Sequence, residues 1–180
     1  ITGSLPGKLS IVKLDTISPL LGEKFMENII LVGIVAFIAV AAVIGIRYRS
    51  IKIALPMVLI LLCEIILLLG FAALVGWNLD LASMAGIIIT IGTAVNHLTI
   101  IVDETMHTET SYLDWKRRLK NAMFIIIGSY LTIAAGMFPL WWAGAGLLKG
   151  FAFTSFVGVS FGVFITRPAY AAILKILTKA

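Results

Sequence analysis

The sequence predicts an all-α polytopic membrane protein, and three observations lead there. First, 61% of the 180 residues are hydrophobic and 13% charged, with a mean hydropathy of +1.09; a soluble domain of this size has no use for that balance. Second, five long stretches carry almost no charge: Asn28–Ile46, Ile53–Gly76 (interrupted by Glu64), Leu81–Val102, Asn121–Leu148 and Gly150–Thr166. A helix needs about 20 apolar residues to cross a bilayer. Four of the runs are long enough outright; the fifth resumes past Arg167 and Pro168 as far as Leu174, with Arg167 expected to snorkel its guanidinium to the interface. Third, none of the five alternates a polar with an apolar face over its length, so a soluble bundle would have nowhere to put its surface. The reading is five transmembrane helices, near 23–47, 51–76, 81–106, 119–142 and 150–177, behind a short N-terminal strand remnant.

Residues 1–22 depart from the hydrophobic pattern. Lys8-Leu9-Ser10-Ile11-Val12-Lys13-Leu14 alternates roughly polar and apolar between Pro6-Gly7 and Pro19, which is strand-like. A lone strand is not stable by itself, so residues 1–22 are read as the end of an extracytoplasmic domain and 23–180 as the transmembrane domain. The chain opens on Ile1-Thr2-Gly3 without an initiator Met, and is expected to be a fragment of a longer protein.

Helix one follows a tether containing Glu23-Lys24. Helices two and three are joined by only Trp77-Asn78-Leu79-Asp80, which makes them an antiparallel hairpin. Trp77, Trp141 and Trp142 suit the outer interface. In Asp103–Lys120, Tyr112, Trp115 and Leu119 fall at i, i+3 and i+7, and a short amphipathic helix on the membrane surface is expected there. Cys63 is the only cysteine, so there is no disulfide framework.

The net charge of +5 is an orientation signal. Arg47, Arg49 and Lys52 lie between helices one and two; Lys116, Arg117, Arg118 and Lys120 between three and four; Arg167, Lys175 and Lys179 at the end of helix five. These are ten of the fourteen basic residues, all on one side. Positive charge concentrates on cytoplasmic loops, which puts the C-terminus in the cytoplasm and leaves no nucleic-acid footprint to explain.

The chemistry-bearing residues lie inside the spans. Asn96 and His97 stand side by side deep in helix three, and Glu64 sits within helix two. Intramembrane polar groups usually face a bundle interior, a partner or a proton path. Thr93, Asn96, His97 and Ile100 share a helical face at offsets of three and four, with Thr90 continuing a polar stripe. At 1.5 Å per residue, Glu64 lies roughly 18 Å below Gly76 and His97 roughly 24 Å below Leu81, levels at which Glu64 could meet the Thr93–His97 face. The plainer reading of Asn96 and Thr93 is hydrogen-bond glue between helices. Gly158-x-x-x-Gly162, Ser129, Thr132 and Gly136 read as packing positions, and Asp103-Glu104 as a solvated helix end.

Gly76–Glu104, with its turn, Gly-rich helix and run into Asp103-Glu104, closely resembles the central hairpin of archaeal-type SecD, a SecDF protein-export subunit of the resistance-nodulation-division (RND) superfamily. The resemblance continues in Ile1–Glu23, in Arg47–Leu59 (RYRSIKIALPMVL), in Gly146–Phe153 (GLLKGFAF) and in Phe161–Tyr170 (FGVFITRPAY). It therefore spans essentially the whole chain in order. It implies helices two to six of an RND/SecD-type half-bundle. It also implies a role in proton-gradient-driven polypeptide translocation, with a SecF-like membrane subunit, the Sec translocation channel, the translocating polypeptide and the lipid bilayer as partners. The alternatives are an RND-type proton-coupled exporter of lipids or small molecules, and a structural half that carries no protons.

The chain departs from the family at one position. Where the family has Gly-x-x-Val-Asp, with Asp as proton carrier, this chain reads Gly92-Thr93-Ala94-Val95-Asn96-His97. An amide does not take up a proton near neutral pH; an imidazole, with an unperturbed pKa of about 6.5, does. His97, Glu64, Asn96 and Thr93 are accordingly the proton-relay candidates. No catalytic residue, cofactor or metal is expected: His97 and His107 lack companions at zinc-ligand spacing, no Gly-rich phosphate loop with a Lys occurs, and no pair of aspartates lies within the helices.

Overall fold

The computed structural model describes residues 19–106, 112–143 and 147–178, with side-chain surroundings for 31–105, 115–143 and 148–177. The strand expected at Lys8–Leu14 lies outside them. The described residues form helices α1 (Pro19–Tyr48), α2 (Ile51–Val75), α3 (Leu81–Met106), α4 (Tyr112–Ala143) and α5 (Leu147–Phe161), then a π-helical turn (Gly162–Thr166) that runs straight into α6 (Arg167–Thr178). Five segments are long and apolar enough to cross a membrane, the last being the continuous α5–α6 span Leu148–Leu177. With this composition, the chain is a multi-pass membrane protein.

Local sequence explains the joints. Gly76 ends α2 at φ 68°, a left-handed conformation that glycine adopts without Cβ strain. The Gly76 and Trp77 amides then close onto Ala73 and Ala72 carbonyls at 3.1 and 2.8 Å. Asp80 starts α3 as its cap, its Oδ1 accepting from the Ser83 amide at 2.7 Å and from the Ser83 hydroxyl at 2.6 Å. The π-helical turn has its cause in Pro168. A proline within a helix donates no hydrogen bond and its ring crowds the carbonyl four residues back, here that of Phe164. The wider turn accommodates this, and the Arg167 amide bonds Gly162 O, five residues earlier.

α3 and α5 form the centre and pack more closely on each other than any other pair. Small residues allow the approach. A Cβ on Gly86 would strike Thr154 Oγ1 and lie 2.9 Å from the Phe151 carbonyl, and one on Gly158 would strike the Thr90 side chain, 2.7 Å from its Oγ1. Thr154 Oγ1 also donates to the Ser83 carbonyl at 2.9 Å, tying α5 to the start of α3. The outer surface is apolar: Leu31, Val35, Ile38, Val43 and Ile46 of α1 are all exposed. In a bilayer these meet lipid, which has no hydrophobic quarrel with them.

Each end of the bundle has its own tie. Beyond the α2–α3 turn, Trp77 stacks on Phe153 at 4.2 Å and on Trp141 at 5.6 Å. At the opposite end Asp103 accepts from Tyr48 Oη at 3.4 Å and pairs with Arg47 at 3.5 Å, joining α1 to α3. Asp103 is therefore an inter-helix contact as well as a helix end. The Lys175 ammonium lies 5.5 Å from the Trp115 ring centre. Trp115 does not belong to a separate surface helix: α4 runs unbroken from Tyr112, because nothing between Tyr112 and Lys120 breaks the helical hydrogen bonding.

Candidate functional site

The polar stripe read along α3 divides in three dimensions. Thr90 and His97 are buried, Thr93 is half-buried and Asn96 is exposed. At 3.6 residues per turn, adjacent residues point about 100° apart, so a single face cannot hold both Asn96 and His97 at its centre. His97 turns into the bundle, where its Nε2 meets Ser129 Oγ of α4 at 3.2 Å. Its Nδ1 is buried without a hydrogen-bond partner among the described residues. Thr90 and Thr93 return their hydroxyls to their own helix, donating to Gly86 O and Ile89 O, each at 2.9 Å.

Glu64 does not join this group. Among the described residues its carboxylate is bonded to Arg167 and Thr166, not to Thr93 or His97. Arg167 Nη1 donates to Glu64 Oε2, and Thr166 Oγ1 lies 3.1 Å from the same oxygen. Arg167 Nη1 also donates to Thr166 Oγ1 at 2.6 Å. Arg167 is 0% exposed and Glu64 2%, which corrects the expectation that Arg167 snorkels to the interface. The physical reason is complementary charge. A carboxylate on the neighbouring helix neutralises the guanidinium in place, and Gly162 leaves it room, since a Cβ there would collide with the guanidinium. Gly162 thus seats a side chain of its own span, while Gly158 admits α3.

None of the four candidates bonds another. Arg167, Thr166 and Ser129 are the hydrogen-bond partners that Glu64 and His97 find instead, and sequence reasoning did not count them as site residues. The signal for Arg167 was present in the sequence: a cation in a run that stays apolar past it, and one carboxylate inside another span. What hydropathy does not contain is that the two meet across 103 residues of chain. Among the described residues no group of three His, Cys, Asp or Glu side chains is arranged to hold a metal.

A buried ion pair in an all-α membrane bundle does not by itself name a function; similarity to known proteins narrows it. The family described as protein export membrane protein SecD/SecF, C-terminal, matches residues 2–179. The chain is 43% identical to the protein-export membrane protein SecD of Methanocaldococcus jannaschii, over 99% of this chain and 44% of that one. It is 44% identical to the SecD of Methanothermobacter thermautotrophicus, over 97% of this chain and 45% of that one. With the protein translocase subunit SecD of Synechocystis it shares 29% identity, over 97% of this chain and 38% of the other. The chain spans less than half the length of these relatives. It belongs to the SecD/SecF C-terminal family of protein-export membrane proteins, and within that family it is similar to SecD of the archaeal type.

Proposed function

We propose that this chain is the transmembrane part of a SecD-type accessory subunit, which supports polypeptide export beside the Sec translocation channel together with a SecF-like half. The observation that carries this reading is the similarity, over nearly every residue, to proteins named SecD. The role is non-enzymatic: the subunit assists movement of a polypeptide. The C-terminus faces the cytoplasm, in keeping with the basic residues gathered at the Arg47 end. Residues 1–22 would end an extracytoplasmic domain.

Gradient use by this half would rest on its buried titratable side chains, His97 and Glu64. Asn96 and Thr93 lie toward the outside of the bundle and offer a polar face to the partner half. An exposed amide in hydrocarbon gains from a hydrogen-bonding partner on a facing helix, and a SecF-like subunit would supply one. Co-purification of the full-length protein tests the class: a stable complex with a SecF-like subunit is expected, and its absence would overturn the reading. Proton coupling is tested separately, by export into inverted vesicles with and without a proton gradient. If His97→Gln and a paired Glu64→Gln/Arg167→Gln variant both keep the full response, this half is a structural partner that carries no protons.

A further inference from the structure

A carboxylate paired with a guanidinium inside a membrane is a neutral unit, and one added proton ends that neutrality. The Glu64–Arg167 unit is only partly satisfied. Glu64 Oε1, Arg167 Nε and Arg167 Nη2 are buried with no hydrogen-bond partner from the described protein. Between α2 and α3 lies a cavity of about 10 Å³ lined by Glu64, Thr90, Ala94 and apolar side chains of both helices. That volume is about enough for one water molecule. Thr90 Oγ1 gives its hydrogen to Gly86 O and keeps acceptor capacity toward such a water. Glu64 is thus a buried acid with an unused oxygen beside a water-sized space.

The surrounding ionisable groups are few. On α1, the neighbour of α2, Arg47 and Tyr48 are engaged with Asp103 of α3 at the far end. Also on α3, His97 lies within electrostatic reach of Arg167, and half-buried Glu104 follows Asp103. The ionisable side chain described on α5 is exposed Lys149, at the Trp77 end. On α6, Tyr170 is buried and Lys175 sits over Trp115. Arg167 is the charged group bonded to Glu64.

The chain around Arg167 departs from regular α-helix. Arg167 follows directly on the π-helical turn, and its amide reaches five residues back instead of four. Such turns hold one residue more than an α-helix does, and they recur at functional sites. The guanidinium rests in the space left by Gly162 on its own span, so turn and side chain are mechanically linked. Protonation of Glu64 converts carboxylate to carboxylic acid, leaves the guanidinium protonated, and raises the local charge from zero to +1. An unpaired guanidinium in hydrocarbon is costly, so it must find another acceptor or move toward water.

We propose that Glu64 and Arg167 are a proton-operated switch: a proton taken up by Glu64 releases Arg167, and the released guanidinium carries the turn Gly162–Thr166 into a second arrangement. The inference rests on the reading that this half is proton-coupled, and deepens it by naming the proton-binding group and the element that moves.

The test uses the full-length protein with its partner subunit in liposomes. Infrared difference spectra on acidification should show a protonated-carboxyl band that Glu64→Gln removes. Spin labels at exposed positions of α2 and α6 should change separation over the same pH interval. Glu64→Gln alone strands a buried cation and can fail to fold, so the neutralised pair Glu64→Gln/Arg167→Gln serves as the second variant. It should fold and assemble, show no label movement, and lose gradient-stimulated export by about tenfold or more, within the range usual for coupled sites. A Glu64 that stays ionised across the pH range in which the gradient acts would overturn the switch. So would a paired variant with an undiminished gradient response. A wild-type complex in which Glu64 titrates and the labels move, yet export gains nothing from a gradient, would support the switch and overturn the export reading alone.

Discussion

Asn96 and His97 are adjacent on α3 and face opposite surroundings: His97 is 2% exposed and set against Ser129, while Asn96 is exposed on the outside of the described bundle. The position at which the sequence resemblance implies a proton carrier therefore holds an outward-facing amide here. The imidazole beside it belongs to the interior, so any exchange of roles between the two residues would also change the direction in which the group points.

The two positions should respond differently to substitution. Asn96→Leu removes no bond within the described residues and should leave the half's own stability within about 0.5 kcal/mol. It should weaken retention of a SecF-like partner. His97→Leu strands the Ser129 hydroxyl and should cost about 1 kcal/mol, in line with interhelical hydrogen bonds in membranes. Thermal unfolding in detergent reads the first quantity and co-purification the second. Equal destabilisation by both variants would show that Asn96 has partners inside this half.

Glycines in the α3–α5 seam should be far less replaceable than glycines elsewhere. Gly86→Ala drives a methyl against Thr154 and toward the Phe151 carbonyl. Backbone cannot rotate away, and overpacking of this kind costs about 1–3 kcal/mol. Gly92 and Gly128 have nothing within 4 Å of an added Cβ, and alanine there should be neutral or stabilise by up to about 1 kcal/mol through helix propensity. Unfolding midpoints of the three variants, measured side by side, check the contrast.

The spans were legible because hydrocarbon thickness imposes a length that apolar runs reveal directly. The α2–α3 joint was legible too, because four residues leave little choice of path. The polar interior was not. Whether Arg167 snorkels or stays buried depends on a carboxylate 103 residues away, and hydropathy is blind to pairing. Pro168 marks a disturbance of the helix, but a kink, a break and a π-helical turn are all permitted by its chemistry. Burial divides Thr93, Asn96 and His97 for a geometric reason. Offsets of three and four put residues on neighbouring sides of one helix; which of those sides is buried is decided by α4 and α5.

Gly162 and the ion pair should prove energetically coupled. Gly162→Ala displaces a guanidinium pinned to Glu64, and should cost about 1–3 kcal/mol in the native background. Removing one charge alone, by Glu64→Gln or Arg167→Gln, should cost about 3–5 kcal/mol, because the remaining charge is buried and unpaired. In the doubly neutral Glu64→Gln/Arg167→Gln background that penalty should largely vanish. Gly162→Ala should then cost much less, since the uncharged amide is free to move aside. A double-mutant cycle built on unfolding free energies measures the coupling, with non-additivity of about 0.5–3 kcal/mol expected. Strict additivity would mean that Gly162 and Arg167 do not share the space.

Asn78, in the turn between α2 and α3, is exposed, and Arg117, near the start of α4, is exposed toward the opposite end. Among the described residues Arg47, Arg49, Lys52, Lys116, Arg118, Lys120 and Lys175 lie toward the Arg117 end rather than the Asn78 end, so Arg117 is expected inside the cell and Asn78 outside. Cys63 is exposed on α2 and must first be replaced, for instance Cys63→Ala, so that it does not report. In that background Asn78→Cys should react with a membrane-impermeant maleimide in intact cells. Arg117→Cys should react only after the cells are opened. The reverse pattern would invert the assignment: the Trp77–Trp141–Phe153 cluster would then lie at the cytoplasmic boundary, and the Arg47–Asp103–Tyr48 tie at the outer one.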